Sequence, residues 1–295
     1  MKRPRWRWTR RRSWSARILA LLVLSFAVWG CVIEPGSLTQ RDYAFALPNW
    51  PRECDGLRVD LVSDLHVGSP RNGVEQFDRL VARLAASDAQ AVLMAGDYVI
   101  LSVFLGTYIP AETVAEHLKP LTARKPVYAV LGNHDWWKDG QRVRRALESA
   151  GVVVLEDQAR EVELGRCRLW MVGVGDLLEA PHDVARAFSA ISDQAPALAI
   201  THNPLVFRRM PARASLVVAG HTHGGQIAFP LLGRPGLWKE ADGAYPVGRF
   251  EEGGRQLFVT QGIGTSILPI RFGVPPEISR LHLCGQGPGR DLACR

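Results

Sequence analysis

The chain has 295 residues, of which 47% are hydrophobic and 22% are charged; this composition excludes an intrinsically disordered protein and allows a sizeable core. Its formal net charge of +7 is concentrated at the start, because residues 1–17 contain eight Lys and Arg and no acidic residue. The remaining residues therefore carry a net charge of about −1. That balance excludes a basic nucleic-acid-binding domain, and no nucleic-acid partner is expected.

An uncharged apolar run at residues 18–33 follows the basic segment 1–17. The run is shorter than the roughly 20 residues that span a bilayer comfortably, so it fits either a short signal anchor or the core of a signal peptide. We take the uncleaved anchor as the default. Because basic residues keep their side of such a segment in the cytoplasm, the chain after residue 33 is expected outside the cytoplasm of a bacterial cell, at the inner membrane.

Three alternatives remain for this N-terminal region. Thr9-Arg10-Arg11-Arg12 ahead of the apolar run resembles a twin-arginine export signal, and the residues before Cys31 loosely resemble a lipoprotein processing site. Tryptophans alternate with arginines in residues 5–14, as in helices that lie in a membrane interface. This last alternative would place the protein on the cytoplasmic face and so reverse the compartment.

The five cysteines include no CxxC pair, which excludes a zinc-ribbon site. In an exported domain, Cys284 and Cys294 could close a short C-terminal loop. Buried or free thiols fit the sequence equally well, so the sequence alone does not assign disulfide pairs.

Prolines and glycines interrupt residues 34–56 and predict an extended linker, so the main domain is expected over 57–295. Short apolar runs predict strands at 57–63, 91–95, 127–131, 169–174, 197–200 and 216–219. Apolar residues at helical spacing lie between several of them, which makes an α/β pattern. Two further β-like segments, 256–261 and 278–283, predict antiparallel strands that complete a second sheet.

Side chains that can bind metals follow five of the predicted strands. They occur in Ser63-Asp64-Leu65-His66, Gly96-Asp97, Gly132-Asn133-His134-Asp135, Thr201-His202-Asn203 and Gly220-His221-Thr222-His223. Because the carboxyl ends of strands in α/β sheets converge on one crevice, the five loops can contribute to one site. A single buried Asp or His is usually structural, but five such insertions at successive strand ends favour a shared site.

Carboxylate, imidazole and amide oxygen donors suit divalent ions such as manganese, iron or zinc. Asp64 and His66, two residues apart, can serve one ion, and Asp97 can bridge two ions with its two oxygens. The remaining donors are Asn133, His202, His221 and His223. Two ions about 3.5–4 Å apart polarise a phosphoryl group and generate a nucleophile near neutral pH. The sequence therefore predicts a dinuclear hydrolase.

The motifs SDLHVG, AGDYV, LGNHDWW, ITHNP and AGHTHGGQ together resemble the calcineurin-like metallophosphoesterase superfamily over residues 57–283. The resemblance implies a four-layer α/β/β/α sandwich and a phosphoester substrate. It implies seven metal ligands in two groups joined by a bridge: Asp64, His66 and His223 for the first ion, Asp97 as the bridge, and Asn133, His202 and His221 for the second. His134 would protonate the leaving oxygen, and Asp135 would orient His134.

The sequence departs from the superfamily pattern at one point. Many members have an arginine shortly after the bridging aspartate, whereas the segment 98–102 after Asp97 reads YVILS. The resemblance therefore does not imply a phosphate contact by an arginine at this position.

The segments IEPGSL, GHTHGGQIAFP and GIGTSILPIRFGVPPEI resemble a membrane-anchored bacterial branch of the superfamily, with phosphodiesterases similar to YkuE and YaeI. A phosphodiester is thus the favoured substrate, and the membrane segment 18–33 makes a lipid-linked one more plausible. The branch is also linked to UDP-2,3-diacylglucosamine pyrophosphatase activity in lipid A synthesis, an alternative whose cytoplasmic substrate conflicts with the outward topology. A metal-binding module that has lost catalysis is the second alternative.

Overall fold

Two six-stranded β-sheets pack face to face in this computed structural model, which describes residues 6–180, 182–229, 233–234 and 244–287. In spatial order the first sheet contains β1 (Thr39–Leu47), β12 (Glu277–Gly285), β2 (Leu57–Val62), β3 (Ala91–Met94), β4 (Val127–Ala129) and β5 (Val153–Val154). The second contains β10 (Gly248–Glu252), β11 (Arg255–Val259), β9 (Leu216–Ala219), β8 (Ala197–Thr201), β7 (Cys167–Val174) and β6 (Gln158–Leu164). Strands β2 to β5, and strands β7, β8, β9 and β11, run parallel, so their carboxyl ends lie at one edge of each sheet.

Helices cover the outer face of each sheet. On the first sheet these are α2 (Val74–Ala86), α3 (Ala111–Thr122) and α4 (Asn133–Ser149); on the second they are the short α5 (Val184–Phe188) and a 3₁₀ turn at Pro204–Arg209. The four-layer α/β/β/α sandwich expected from the resemblance is therefore confirmed.

The alternating direction of side chains along the central strands explains why each strand contributes to two separate cores. In β3, Ala91 and Leu93 belong to the core between the two sheets, whereas Val92 and Met94 pack beneath the helices. Successive side chains of a strand point to opposite faces, so a strand buried on both faces needs a continuous apolar run. This requirement is why the predicted strands stand out in the sequence as short runs of Val, Leu, Ile and Ala.

Two segments differ from their sequence-based prediction. The predicted linker 34–56 contains β1, which pairs in parallel with β12 from Thr39 to Leu47, so part of this segment belongs to the first sheet. Strand β12 itself, predicted for the second sheet, pairs antiparallel with β2 in the first. The partner of each strand lies more than 200 residues away in the chain, and a local pattern contains no information about such pairings.

The N-terminal helix α1 (Trp6–Val28) continues into a π-helical turn, and the stretch Trp14–Gly36 is long and apolar enough to cross a membrane, judged by length and composition. The end of this helix contacts the folded domain. The Arg271 N–H donates to the Gly30 carbonyl at 2.9 Å, and the Phe26 and Phe272 ring centroids are 4.5 Å apart. The end of the apolar stretch thus packs against the folded domain.

A disulfide between Cys54 and Cys167 joins the turn before β2 to the first residue of β7, and so connects the two sheets. Cys284 is also disulfide-bonded, whereas Cys31 is a free thiol. The expectation for Cys294 concerns a residue outside the described ranges.

Glu156 gives the fold a dependence on pH. Burial raises the pKa of this carboxyl from 4.5 to about 8, and Asp157 adds to the effect, although the Leu131 N–H bonded to it at 2.8 Å acts in the opposite direction. Because the folded-state pKa is raised, the folded protein loses stability as pH rises from about 5 through about 8. Since the side chain is partly exposed, we expect Glu156→Gln to be neutral near pH 4 and to stabilise the protein by ~2–3 kcal/mol at pH 9. Thermal unfolding at both pH values measures this difference, and equal gains at both would contradict the assignment.

Candidate metal centre

The predicted ligands lie together at the carboxyl edge of the two sheets. Asp64 and His66 follow β2, Asp97 follows β3, and Asn133 begins α4. His202 follows β8, and His221 and His223 follow β9. All seven side chains are buried. The structure therefore brings the sequence-predicted set into one crevice between the sheets, as parallel strand ends require.

The first group of donor atoms surrounds the Nε2 atom of His66. This atom lies 3.2 Å from His223 Nε2 and 3.4 Å from Asp97 Oδ2. His223 Nε2 is in turn 3.4 Å from Asp64 Oδ1. One donor atom each from Asp64, His66 and His223 thus lie within 4.8 Å of one another, a spacing that suits a single ion.

The second group surrounds His202 Nε2. This atom lies 3.1 Å from Asn133 Oδ1, 3.0 Å from His221 Nδ1 and 3.4 Å from Asp97 Oδ2. The same oxygen of Asp97 is therefore equally distant from His66 in the first group and His202 in the second. This is the position that a bridging carboxylate would occupy.

The chemistry of the donor set fits bound cations. Each group presents lone pairs of imidazole nitrogens and carboxylate or amide oxygens toward one another, and a neutral imidazole supplies only one N–H. Asp64 and Asp97 are buried carboxylates that accept but do not donate when ionised. Without a cation, such a buried cluster would bring negative charge and unshared lone pairs into contact at a considerable cost.

Burial sets the protonation of several ligands. It lowers the pKa of His66 to about 3 and that of His223 well below its usual value, so both imidazoles are neutral, as metal binding requires. Burial also lowers the pKa of His202, but the Asp97 and Asp64 carboxylates raise it more. The pKa of Asp97 is well below its usual value because nearby imidazoles, His202 first, outweigh its burial.

The backbone at the site is strained in a way that the sequence did not reveal. Five of the seven predicted ligands have positive φ: Asp64 (52°), His66 (39°), Asp97 (60°), His221 (71°) and His223 (50°). Non-glycine residues rarely adopt this region, and such outliers concentrate at functional sites that the surrounding structure holds in place. The flanking glycines are explained by close approach: a Cβ at Gly132 would overlap Asp97 Oδ1, and one at Gly220 would overlap Ser63 Oγ.

His134 lies at the mouth of this cluster and is partly exposed, unlike the ligands. Its ring centroid is 4.7 Å from that of His66 and 5.0 Å from the Trp137 ring, and its backbone N–H donates to Asp97 Oδ1 at 2.9 Å. A partly exposed imidazole beside the donor cluster can reach both the site and an incoming substrate.

Asp135 has partners other than the predicted one. Its carboxylate accepts backbone N–H groups of Gly132, Asp97 and Tyr98 at 2.9 Å and of Val99 at 3.3 Å. His134 Nδ1 has no hydrogen-bond partner within the described residues, so the expected pairing of Asp135 with His134 is not formed. Asp135 instead caps α4 and holds the loop that carries Asp97 in place.

Arg271 supports the site and was not identified from the sequence. Its fully buried guanidinium donates to the carbonyls of Gly264 (Nε, 3.0 Å), Gln261 and Val274 (Nη1, 3.1 and 3.0 Å). The Gly264 N–H in turn donates to the Asp64 carbonyl at 2.7 Å. The only signal in the sequence is one arginine within the apolar stretch ILPIRFGV.

We expect Arg271→Met to destabilise the protein by ~3–5 kcal/mol, because it leaves buried carbonyls without donors. In a chain of this size that loss corresponds to a decrease in Tm of roughly 10 °C. Arg142→Met is the matched control, since Arg142 is exposed and pairs with Glu112 at the surface, where solvent screens such a pair and leaves it little effect on stability. Similar Tm values for the two variants would refute a supporting role for Arg271.

Comparisons with known proteins agree with this geometry. The family model of the calcineurin-like phosphoesterases matches residues 57–225. The chain is 33% identical over 241 residues to phosphodiesterase YaeI of Escherichia coli strain K12, covering 77% of this chain and 82% of that protein. It is 25% identical over 250 residues to the uncharacterized metallophosphoesterase YkuE of Bacillus subtilis, covering 84% and 86%.

Among solved structures, a 5′-nucleotidase precursor from Thermus thermophilus is similar with a TM-score of 0.46 and 17% identity, covering 70% of this chain and 48% of that one. The family match, the YaeI relationship and the clustered donors agree on one class of chemistry. The chain therefore belongs to the calcineurin-like phosphoesterase family and is a metal-binding hydrolase of phosphoester bonds.

Proposed function

We propose that the chain is a phosphodiesterase that uses two divalent ions, with manganese, iron or zinc as the metals. Asp64, His66 and His223 would hold one ion, and Asn133, His202 and His221 would hold the other. The observation that carries this proposal is the position of Asp97, whose Oδ2 lies 3.4 Å from both His66 Nε2 and His202 Nε2. A carboxylate placed between two donor groups would suit a site for two divalent ions.

When bound, the ions would neutralise phosphoryl charge and activate a water molecule. The chain's own residues donate the proton and position the groups that react. His134 donates a proton to the departing oxygen, a task suited to an imidazole. Asp135 fixes the Asp97 loop through backbone hydrogen bonds, and Trp137 packs against the His134 ring and limits its orientation.

The E. coli relative is named a phosphodiesterase, and this supports a diester as the substrate class. The experiment is hydrolysis of bis(p-nitrophenyl) phosphate and of p-nitrophenyl phosphate by the purified chain loaded with each metal. We expect a higher kcat/KM for the diester. Preference for the monoester would overturn the diester assignment, and binding of metal without hydrolysis of either would favour the silent module.

The location is proposed from three features of the chain. Basic residues 1–17 precede the apolar run 18–33, the orientation that leaves the following domain outside the cytoplasm. The disulfide between Cys54 and Cys167 supports the same side, because such bonds persist in oxidising compartments. This location disfavours the pyrophosphatase of lipid A synthesis, whose substrate is cytoplasmic.

A reporter fused after Arg295 tests the location. Alkaline phosphatase at this position should be active and green fluorescent protein should be dark in cells, because the first needs an oxidising compartment to form its disulfides. The reverse result would place the domain in the cytoplasm and favour the alternative in which the N-terminal helix lies in the cytoplasmic membrane interface.

A further inference from the structure

Five large apolar side chains form an exposed surface on the domain, which we call the apolar rim: Leu101, Phe104, Leu105, Ile267 and Leu268. Leu105 is 78% exposed and Phe104 is 63% exposed. Two loops make the rim together, because the Phe104 N–H donates to the Ile267 carbonyl at 3.0 Å. A contiguous apolar surface of this kind marks a contact with something apolar.

The apolar rim is continuous with the end of α1. The Gln226 side-chain amide donates hydrogen bonds to the carbonyls of Leu268 (3.1 Å) and Ile270 (3.2 Å). The residue after Ile270 is Arg271, whose backbone N–H donates to the Gly30 carbonyl. Only two residues therefore lie between Leu268 of the rim and Arg271, which contacts the apolar stretch Trp14–Gly36. If that stretch lies in a bilayer, the rim must lie at or near the surface of the same leaflet.

The apolar rim is also next to the metal centre. Leu101 is four residues after Asp97, and the intervening Val99 carbonyl is 3.3 Å from His66 Nδ1. On the other loop, Gly264 lies three residues before Ile267, and its backbone N–H donates a hydrogen bond to the Asp64 carbonyl. The loops that form the rim are thus the loops that pack against two predicted ligands.

Charge at the same place is complementary to a lipid surface. Arg71 is exposed, and its Nε donates to the Val32 carbonyl at 3.0 Å, so its guanidinium lies beside the end of the apolar stretch. An arginine beside the end of a membrane segment can place its guanidinium against lipid phosphates while its methylene groups lie against apolar groups. Trp29, exposed one turn earlier, is of the residue type enriched at membrane interfaces.

We propose that the apolar rim inserts into the leaflet from which α1 emerges, so that the metal centre opens toward the bilayer and takes the phosphodiester of a membrane amphiphile. This substrate class rests on the proposed phosphodiesterase function and on an uncleaved α1. The exposure of Leu101, Phe104 and Leu105 in the loop after Asp97 is then explained as a contact with the lipid.

Contact with the bilayer is tested on the full chain in lipid nanodiscs. In a Cys31→Ser background, Leu105→Cys is labelled with the environment-sensitive fluorophore NBD. The control is Ala123→Cys, an exposed position just before β4 and so at the opposite end of the strand that leads to Asn133. NBD at position 105 should emit at shorter wavelength and lose most of its intensity when the lipids carry brominated acyl chains, whereas NBD at position 123 should not change. Equal quenching at both positions overturns the proposal. A blue shift that grows with the amount of protein per nanodisc, without quenching by brominated lipid, also overturns it, because it indicates contact between copies of the chain.

The substrate class is tested with the double variant Phe104→Ser/Leu105→Ser, again as the full chain in nanodiscs. One substrate is soluble bis(p-nitrophenyl) phosphate, and the other is a bilayer of phosphatidylglycerol, phosphatidylethanolamine and cardiolipin, assayed by release of headgroup. The variant should keep the turnover of the soluble diester and lose most of its turnover of the lipids. Equal effects on both substrates, or no lipid turnover by the unaltered chain, overturn the substrate class. Absence of turnover of both substrates by the unaltered chain instead refutes the proposed function, while the quenching experiment still decides whether the apolar rim contacts the bilayer.

Discussion

Replacement of Asp97 by alanine is expected to remove bound metal and to lower kcat for a phosphodiester by roughly 10³-fold or more. Its Oδ2 is within 3.4 Å of both donor groups, so the variant loses a ligand from each at once. Metal contributes several kcal/mol of transition-state stabilisation, and each ~1.4 kcal/mol corresponds to a factor of ten in rate. Metal content by mass spectrometry and steady-state kinetics measure the two effects together.

Asp60→Asn is the matched control for Asp97→Ala. Asp60 is equally buried but lies within β2 and pairs with Arg280 at 2.9 Å, away from the donor groups. This variant should lose stability and keep its metal and its turnover per folded molecule. An Asp97→Ala protein that retains both metal and activity would show that the two donor groups do not share a bridge.

His134→Ala is expected to keep the metal content of the parent chain and to lower kcat by about 10²- to 10⁴-fold, the range for loss of a general acid. A ring nitrogen of His134 lies within 4.8 Å of donor atoms of His66 and Asp97, but each of the two donor groups proposed to hold an ion consists of other residues. The loss should shrink for diesters whose leaving group is a weak base, because such a group departs without a proton. Kinetics with a series of aryl leaving groups measures this dependence.

His117→Ala provides the control for His134→Ala. His117 lies on α3 and bonds Asp78 at the surface, so its removal should leave kcat unchanged for every leaving group. A His134→Ala variant whose rate loss is the same for good and poor leaving groups would contradict proton donation. It would then support a role for His134 in binding the phosphoryl group.

Most of the fold could be predicted because its strands are buried on both faces. The runs at 57–63, 91–95 and 216–219 match β2, β3 and β9 closely, since a parallel strand between two layers needs an uninterrupted apolar sequence. β1 could not be predicted in this way. Its burial alternates, with Phe45 and Leu47 inside and Arg41 and Asp42 exposed, and it lies among prolines and glycines that indicate a linker.

The candidate site could be predicted as a set of donors but not in its internal contacts. Asp64, Asp97 and His202 were identifiable because each follows an apolar strand. The partners of Asp135 were not, because four backbone amides brought together by two loops compete successfully for its carboxylate. Arg271 could not be predicted for a related reason. Its partners are backbone carbonyl groups, which every residue has, so the sequence does not indicate which ones it contacts.

The most direct test of a dinuclear site is metal stoichiometry measured alongside activity. The purified chain is stripped with a chelator and titrated with manganese or zinc, while bound metal and hydrolysis of bis(p-nitrophenyl) phosphate are followed. We expect activity to return fully only as the second ion per chain binds. Full activity with one ion per chain, or activity that survives complete removal of metal, would contradict it.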